Sequence, residues 1–162
     1  MSSIITTYFQ SPLGLIEIRG DESSIFSVSF DRASNSFSET VPEIIADCKK
    51  QLEEYFAGAR KDFELNVNPV GTFFQASVWN ELKKIKYAST TSYLDVAKKL
   101  GDEKSVRAVG AANGKNPIAI IIPCHRVVGA NNSLTGYAGG LWRKQWLLEH
   151  EARYGLGVLK LF

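Results

Sequence analysis

Apolar and polar positions alternate with a period of two along the first thirty residues. Ile4-Ile5-Thr6-Thr7-Tyr8-Phe9 is one candidate strand, closed by Ser11-Pro12. Leu13-Gly14-Leu15-Ile16-Glu17-Ile18 is a second, closed by Gly20-Asp21, and Ile25-Phe26-Ser27-Val28-Ser29-Phe30 is a third. Such alternation marks strands with one face buried. The period then changes. Val41, Ile44, Ile45, Cys48, Leu52, Tyr55 and Phe56 fall on one helical stripe, with Gly58 as its stop. Cys48 lies in that stripe and reads as small apolar packing. The Ser-rich stretch from Ser34 to Ser38 reads as a loop, and Asn66 to Thr72 as a linker punctuated by Asn, Pro and Gly.

Beyond the linker the pattern is helical. Thr72 is a candidate cap for a helix carrying Phe74, Val78, Leu82 and Ile85. Ser92 is a candidate cap for another, with Tyr93, Val96, Ala97 and Leu100 inward and Gly101 as the stop. Asp102-Glu103-Lys104 forms a short turn, and Ser105 opens a third helix through Asn113. Helix, short turn and small-residue helix make a helix-turn-helix pattern. The run Ile120-Ile121-Ile122 reads as strand-like, ending at Pro123.

Composition adds little until it is divided at the linker. The chain has 162 residues, a net charge of +2 and a 44% hydrophobic content, ordinary values for a globular protein. Residues 1–70 carry 6 basic and 11 acidic side chains, whereas residues 71–162 carry 13 and 6. That asymmetry favours a polyanionic partner for the second half. No apolar run approaches the ~20 residues that span a bilayer, and Met1 to Thr6 does not resemble a signal peptide. Two cysteines in such different settings do not suggest a disulfide framework, so a reducing, cytoplasmic setting is expected.

The chemistry concentrates at Cys124, in the string Pro123-Cys124-His125-Arg126-Val127. A thiol reacts as its thiolate, and nearby positive charge or a partnered imidazole lowers its pKa from ~8.5. Adjacent side chains on a regular strand would face opposite ways, so a tight turn after Pro123 is needed to bring thiol and imidazole together, directly or through a water. The residues alone also admit a DNA-binding regulator without chemistry, a Cys-His hydrolase that turns over, or a redox-sensing thiol. No other Cys or His has metal-finger spacing, so neither a metal nor another cofactor is expected.

The string around Cys124 resembles the active-site signature of the O6-alkylguanine–DNA alkyltransferases. Arg107-Ala108-Val109-Gly110, Asn116-Pro117, Phe74 to Trp79, Thr90 to Tyr93, Gly136 to Leu141 and Lys144 to Glu151 continue the resemblance, and Ser11 to Gly14 and Tyr55 to Gly58 extend it more weakly. The resemblance implies an α+β protein with two domains. Residues 1–70 would form a small antiparallel sheet with a helix, ribonuclease-H-like. Residues 71–162 would be mostly helical, holding the helix-turn-helix and the thiol.

It further implies irreversible, single-turnover transfer of an alkyl group from O6 of guanine, or O4 of thymine, to Cys124. His125 would be the base, Glu151 would orient its far nitrogen, and Asn116 would hold the turn. A monomer would bind double-stranded DNA containing O6-alkylguanine and extrude the damaged base. The helix of Ser105, Ala108, Gly110 and Ala111 would enter the minor groove, with Lys104 on phosphate and Arg107 filling the vacated stack. Arg107 also reads as a phosphate contact, and Tyr93, which would contact the extruded nucleoside, as a packed helix residue. Tyr137 and Ala138 would line the base pocket, with Val127 and Val128 as its apolar wall. Ala138 stands where the family often has Ser, Phe73 where it has Pro, and Lys86-Tyr87-Ala88 where Pro-Tyr-Gly is commoner. The last two departures are expected to change only local loop shape, away from the thiol.

Overall fold

The computed structural model describes residues 3–32, 38 and 40–157. The chain forms two compact units: residues up to Val70 together with Pro117–Ala119, and Gly71–Asn116 together with residues from Ile120 onward. The loop expected at Ser34 to Ser38 lies outside the described residues except for Ser38, whose N–H donates to Thr6 O at 2.9 Å.

In the first unit, β1 (Ile5–Ser11), β2 (Gly14–Gly20) and β3 (Ile25–Phe30) form an antiparallel meander in the order β1-β2-β3. Ser11 Oγ organises the first turn, donating to Gly14 O at 2.7 Å and accepting the Leu13 N–H at 3.0 Å. Asp21 Oδ1 organises the second by accepting the N–H groups of Ser23 and Ser24. On β2, Ile16 and Ile18 are fully buried. Helix α1 (Glu43–Phe56) covers the sheet with Ile45, Cys48, Leu52 and Tyr55, all fully buried. It begins after Val41, and Gly58, at φ 81°, follows its C-terminus.

The far side of β3 is not an open edge. Ile25 bridges Val67, and Val28 bridges Ile118, both in parallel sense. Val28 N–H donates to Pro117 O at 2.9 Å, and Ala119 N–H donates to Val28 O at 3.0 Å. The strand's outward backbone groups are therefore satisfied by two short returning segments.

In the second unit, Thr72 caps α2 (Phe73–Leu82) with a capping box: its Oγ1 accepts the Gln75 N–H while Gln75 Oε1 accepts the Thr72 N–H. Ile85 lies beyond the helix end. Ser92 Oγ caps α3 (Tyr93–Lys99) by accepting the Asp95 N–H. Gly101, at φ 88°, and a short 3-10 turn lead into α4 (Val106–Gly114). On α4, Val109 and Ala112 face inward, and Trp79 Nε1 of α2 donates to Ala112 O at 2.9 Å. The strand pair β4 (Thr91–Ser92) and β5 (Val127–Val128) is parallel and two residues long, and α5 (Leu141–Leu156) closes the unit. Among the described residues no helix is long and apolar enough to cross a membrane.

One expected element is absent: Ile120–Ile122 is not a strand. Ile120 sits at φ 71°, a conformation β-branched residues rarely adopt. The carbonyl of Ile122 accepts from Cys124 N–H at 2.8 Å and from Asn116 Nδ2 at 2.7 Å, so a turn and a side chain replace a ladder partner.

Because Leu52 is fully buried on the α1 stripe, Leu52→Ala should lower stability by about 2–5 kcal/mol in urea unfolding. A loss below ~1 kcal/mol would mean that α1 does not seal the sheet.

Candidate active site

Cys124, His125 and Arg126 form one 3-10 turn after Pro123. At about three residues per turn, consecutive side chains leave in three directions. The sequence neighbours therefore serve different partners, and all three are buried.

Glu151, on α5, collects two of them. Its Oε2 lies 2.7 Å from His125 Nε2 and accepts from an Arg126 terminal nitrogen at 3.0 Å. Its Oε1 accepts from Arg126 Nε at 2.8 Å and from Ala88 N–H at 3.2 Å. The residue is fully buried. Burial alone would push the carboxyl up, but His125 and Arg126 together hold it well below the usual carboxylate range. It is a carboxylate, so His125 Nε2 carries the hydrogen. Nδ1, the other ring nitrogen, is then a lone-pair acceptor, buried and with no hydrogen-bond partner. Burial lowers the pKa of His125 despite the adjacent Glu151. The expectation that Lys86-Tyr87-Ala88 lies away from the site is corrected here. Ala88, at φ 62°, donates to Glu151, and Arg126 lies over the Tyr87 ring at 5.7 Å.

The thiol has its own surroundings. Cys124 is 6% exposed, and burial raises its pKa. A hydrogen bond with Asn116 and the Lys144 ammonium act against that rise. No direct hydrogen bond joins the thiol to His125 Nδ1. Lys144 is itself fully buried, with its pKa lowered to about 8 chiefly by burial. Its Nζ donates to Thr135 O at 2.7 Å and to Gly136 O at 3.2 Å, and lies 3.5 Å from Tyr93 Oη. Cys48, the other cysteine, is pushed up to about 12 by burial and has no comparable neighbours.

A cavity of about 400 Å³ lies between α4, Tyr93 and the segment from Thr135 to Ala138. Gly110, Asn113 and Gly114 form its helical wall. Asn113 joins this cavity to the Cys124 backbone, because its Nδ2 donates to Cys124 O at 3.3 Å. Tyr93 Oη donates to Thr135 O at 3.1 Å. The Tyr137 hydroxyl is buried with no hydrogen-bond partner, and burial followed by the neighbouring Cys124 raises its pKa well above the ordinary value.

Tyr93, Gly110, Tyr137 and Ala138 are thus brought together around the cavity. Val127 and Val128 are not; both are buried in β5. Arg107, Ala108, Ala111 and Lys104 are exposed on or beside α4, and Ser105 is half-buried, its Oγ donating to Asp102 O at 2.6 Å. Among the described residues, no group of three or more His, Cys, Asp or Glu side chains is placed to hold a metal ion.

Asn113, Arg126 and Lys144 are the participants that sequence reasoning did not single out. Lys144 and Glu151 had a readable signal. They share a seven-residue spacing with Leu147 and Leu148 between them, placing two charges on an apolar stripe.

Glu151→Gln should cost about 3–5 kcal/mol at neutral pH, since it leaves Arg126 buried without its counter-charge. The folded carboxyl is depressed, so its stabilisation is complete above the unfolded pKa of ~4.3 and fades as pH falls below it. In urea unfolding, the difference between wild type and variant should shrink on acidification; a pH-independent difference would contradict the ion-pair account.

The description "6-O-methylguanine DNA methyltransferase, ribonuclease-like domain" fits residues 4–69, and "6-O-methylguanine DNA methyltransferase, DNA binding domain" fits residues 73–153. The chain is 48% identical over 150 residues to a methylated-DNA–protein-cysteine methyltransferase of Methanosarcina acetivorans, covering 88% of this chain and 95% of that protein. A crystal structure of Mycobacterium tuberculosis O6-methylguanine methyltransferase superposes with a TM-score of 0.85 at 37% identity, covering 94% of this chain and 95% of the other. The structure of the M. tuberculosis OGT in complex with DNA gives 0.82 at 40% identity, with 93% of each chain covered. With two domain matches that together span most of its length, this chain belongs to the 6-O-methylguanine DNA methyltransferase family.

Proposed function

We propose that this protein repairs DNA by direct reversal, moving an alkyl group from O6 of guanine in double-stranded DNA irreversibly onto Cys124. The observation that carries this reading is the double role of Asn113. It lines a base-sized cavity beside α4 and hydrogen-bonds the carbonyl of the cysteine that would receive the group. A cavity of about 400 Å³ falls within the range used for small ligands.

The chemistry follows from the surroundings of the sulfur. His125 Nδ1 is the proton acceptor for the thiol, reached through a bridging water, while Glu151 fixes the tautomer from the other side of the ring. Asn116 and Lys144 favour the thiolate, against the effect of burial. The sulfur lone pair forms an S–C bond as the C–O bond breaks. The departing electron pair stays on the base, which takes up a proton and becomes ordinary guanine. The thioether is stable, so each molecule acts once.

The exposed face of α4 fits the groove-binding role. Arg107, Ala108 and Ala111 present one long cation among small residues, with Lys104 nearby for phosphate. Small residues allow close backbone approach, and Arg107 occupies the gap left by the everted nucleotide. The protein would act as a cytoplasmic monomer, and O4-alkylthymine would be a further substrate.

Mass spectrometry after exposure to a duplex bearing O6-methylguanine should find one added methyl group, on the peptide containing Cys124. Cys124→Ser should abolish it; label on that variant, product in excess of protein, or tight binding without any mass gain would each overturn the reading. Arg107→Ala should slow transfer from duplex by about tenfold while affecting a single-stranded oligonucleotide much less.

A further inference from the structure

Arg126 plays no part in the scheme above, although its guanidinium is held by three hydrogen bonds. It makes a two-point contact with Glu151, at 2.8 and 3.0 Å, and a third bond from its remaining terminal nitrogen to Ile85 O at 2.7 Å. It lies over the Tyr87 ring and is 6% exposed. The thiol two residues earlier is influenced by Lys144 rather than by this cation. A buried, forked guanidinium on a carboxylate that already serves a histidine invites an electrostatic question. How much of the negative charge remains for the imidazole?

We infer that Arg126 is a positioning residue that keeps His125 an uncharged proton acceptor by sharing Glu151 with it. The inference rests on the reading of His125 as the base for Cys124. Two charges of opposite sign meet in buried surroundings. If Arg126 neutralises Glu151, the imidazole can hydrogen-bond the carboxylate through Nε2–H and keep the Nδ1 lone pair. If Arg126 is absent, the carboxylate has only the imidazole as a buried counter-charge. The pair then takes up a proton at higher pH, and that proton occupies Nδ1. Among the described residues no protein group bonds Nδ1, so nothing in the protein holds a proton there.

The charged groups acting on His125 are Glu151 and Lys144 from α5 and Arg126 from its own turn. Glu151 favours the imidazolium, whereas Arg126 and Lys144 oppose it. Helix α2 also packs against the turn, but no charged group of α2 is among those acting on the ring. Lys144 is engaged with the carbonyls of Thr135 and Gly136, which leaves Arg126 as the cation bonded directly to the shared carboxylate.

The test is the pH profile of single-turnover methyl transfer from an O6-methylguanine duplex, for wild type, Arg126→Met and Arg126→Lys. Removing the charge should move the acidic limb of the Met profile upward by about one pH unit or more, so that its deficit shrinks as pH rises. The Lys variant keeps the charge but not the fork; its limb should stay near that of wild type even though its rate falls. A Met variant slowed by the same factor at every pH would overturn the inference, because a merely structural arginine behaves that way. A second measurement needs no variant. Nitrogen-15 NMR of the wild-type imidazole should report His125 as the neutral Nε2–H tautomer at neutral pH, and an imidazolium signature there would equally overturn it. Wild-type protein that acquires no methyl group at all would instead sink the underlying repair reading, so the two failures are distinguishable.

Discussion

Everything at the site converges on one buried carboxylate. Glu151 contacts His125 and Arg126 from one turn and Ala88 from a loop sixty-three residues upstream, while itself belonging to α5. A charge placed in such surroundings is tolerable only when its hydrogen-bonding capacity is filled. Here each oxygen has at least two partners. The carboxylate thereby ties together three segments that have no local reason to be adjacent, and it sets which ring nitrogen of His125 carries the hydrogen.

The two charges of α5 divide the work. Glu151 addresses the imidazole, and Lys144, seven residues earlier on the same face, addresses the thiol and the segment that borders the cavity. Helix α4 contributes through Asn113, which touches both the cavity and the Cys124 backbone. The polar groups that still have no partner there, Asn113 Oδ1, His125 Nδ1 and the Tyr137 hydroxyl, belong to residues of this same site or its cavity.

Much of this was legible beforehand, for physical reasons. Period-two alternation located β1, β2 and β3, and the stripe from Ile45 to Tyr55 located α1, because each element buries one face against one core. Thr72 and Ser92 announced their helices because a hydroxyl before an apolar run has a definite task at a helix start. The run at Ile120–Ile122 misled because apolar content signals burial and not conformation; the left-handed backbone at Ile120 leaves no trace in composition. Arg126 and Asn113 were hidden for a different reason. Their partners are Glu151, Ile85 and the Cys124 carbonyl, and nothing short of the folded chain brings those within hydrogen-bonding distance. The Ala88 contact was likewise invisible, since its donor is a backbone N–H that any residue could supply.

The raised thiol pKa of Cys124 has an implication for how such a molecule survives idle time. A reagent that can be used once is wasted by every stray electrophile it meets. Keeping the sulfur mostly protonated and screened from bulk water holds its background reactivity low. Selectivity of this kind lies in the quiescence of the resting state, and a free thiolate on the surface could not provide it.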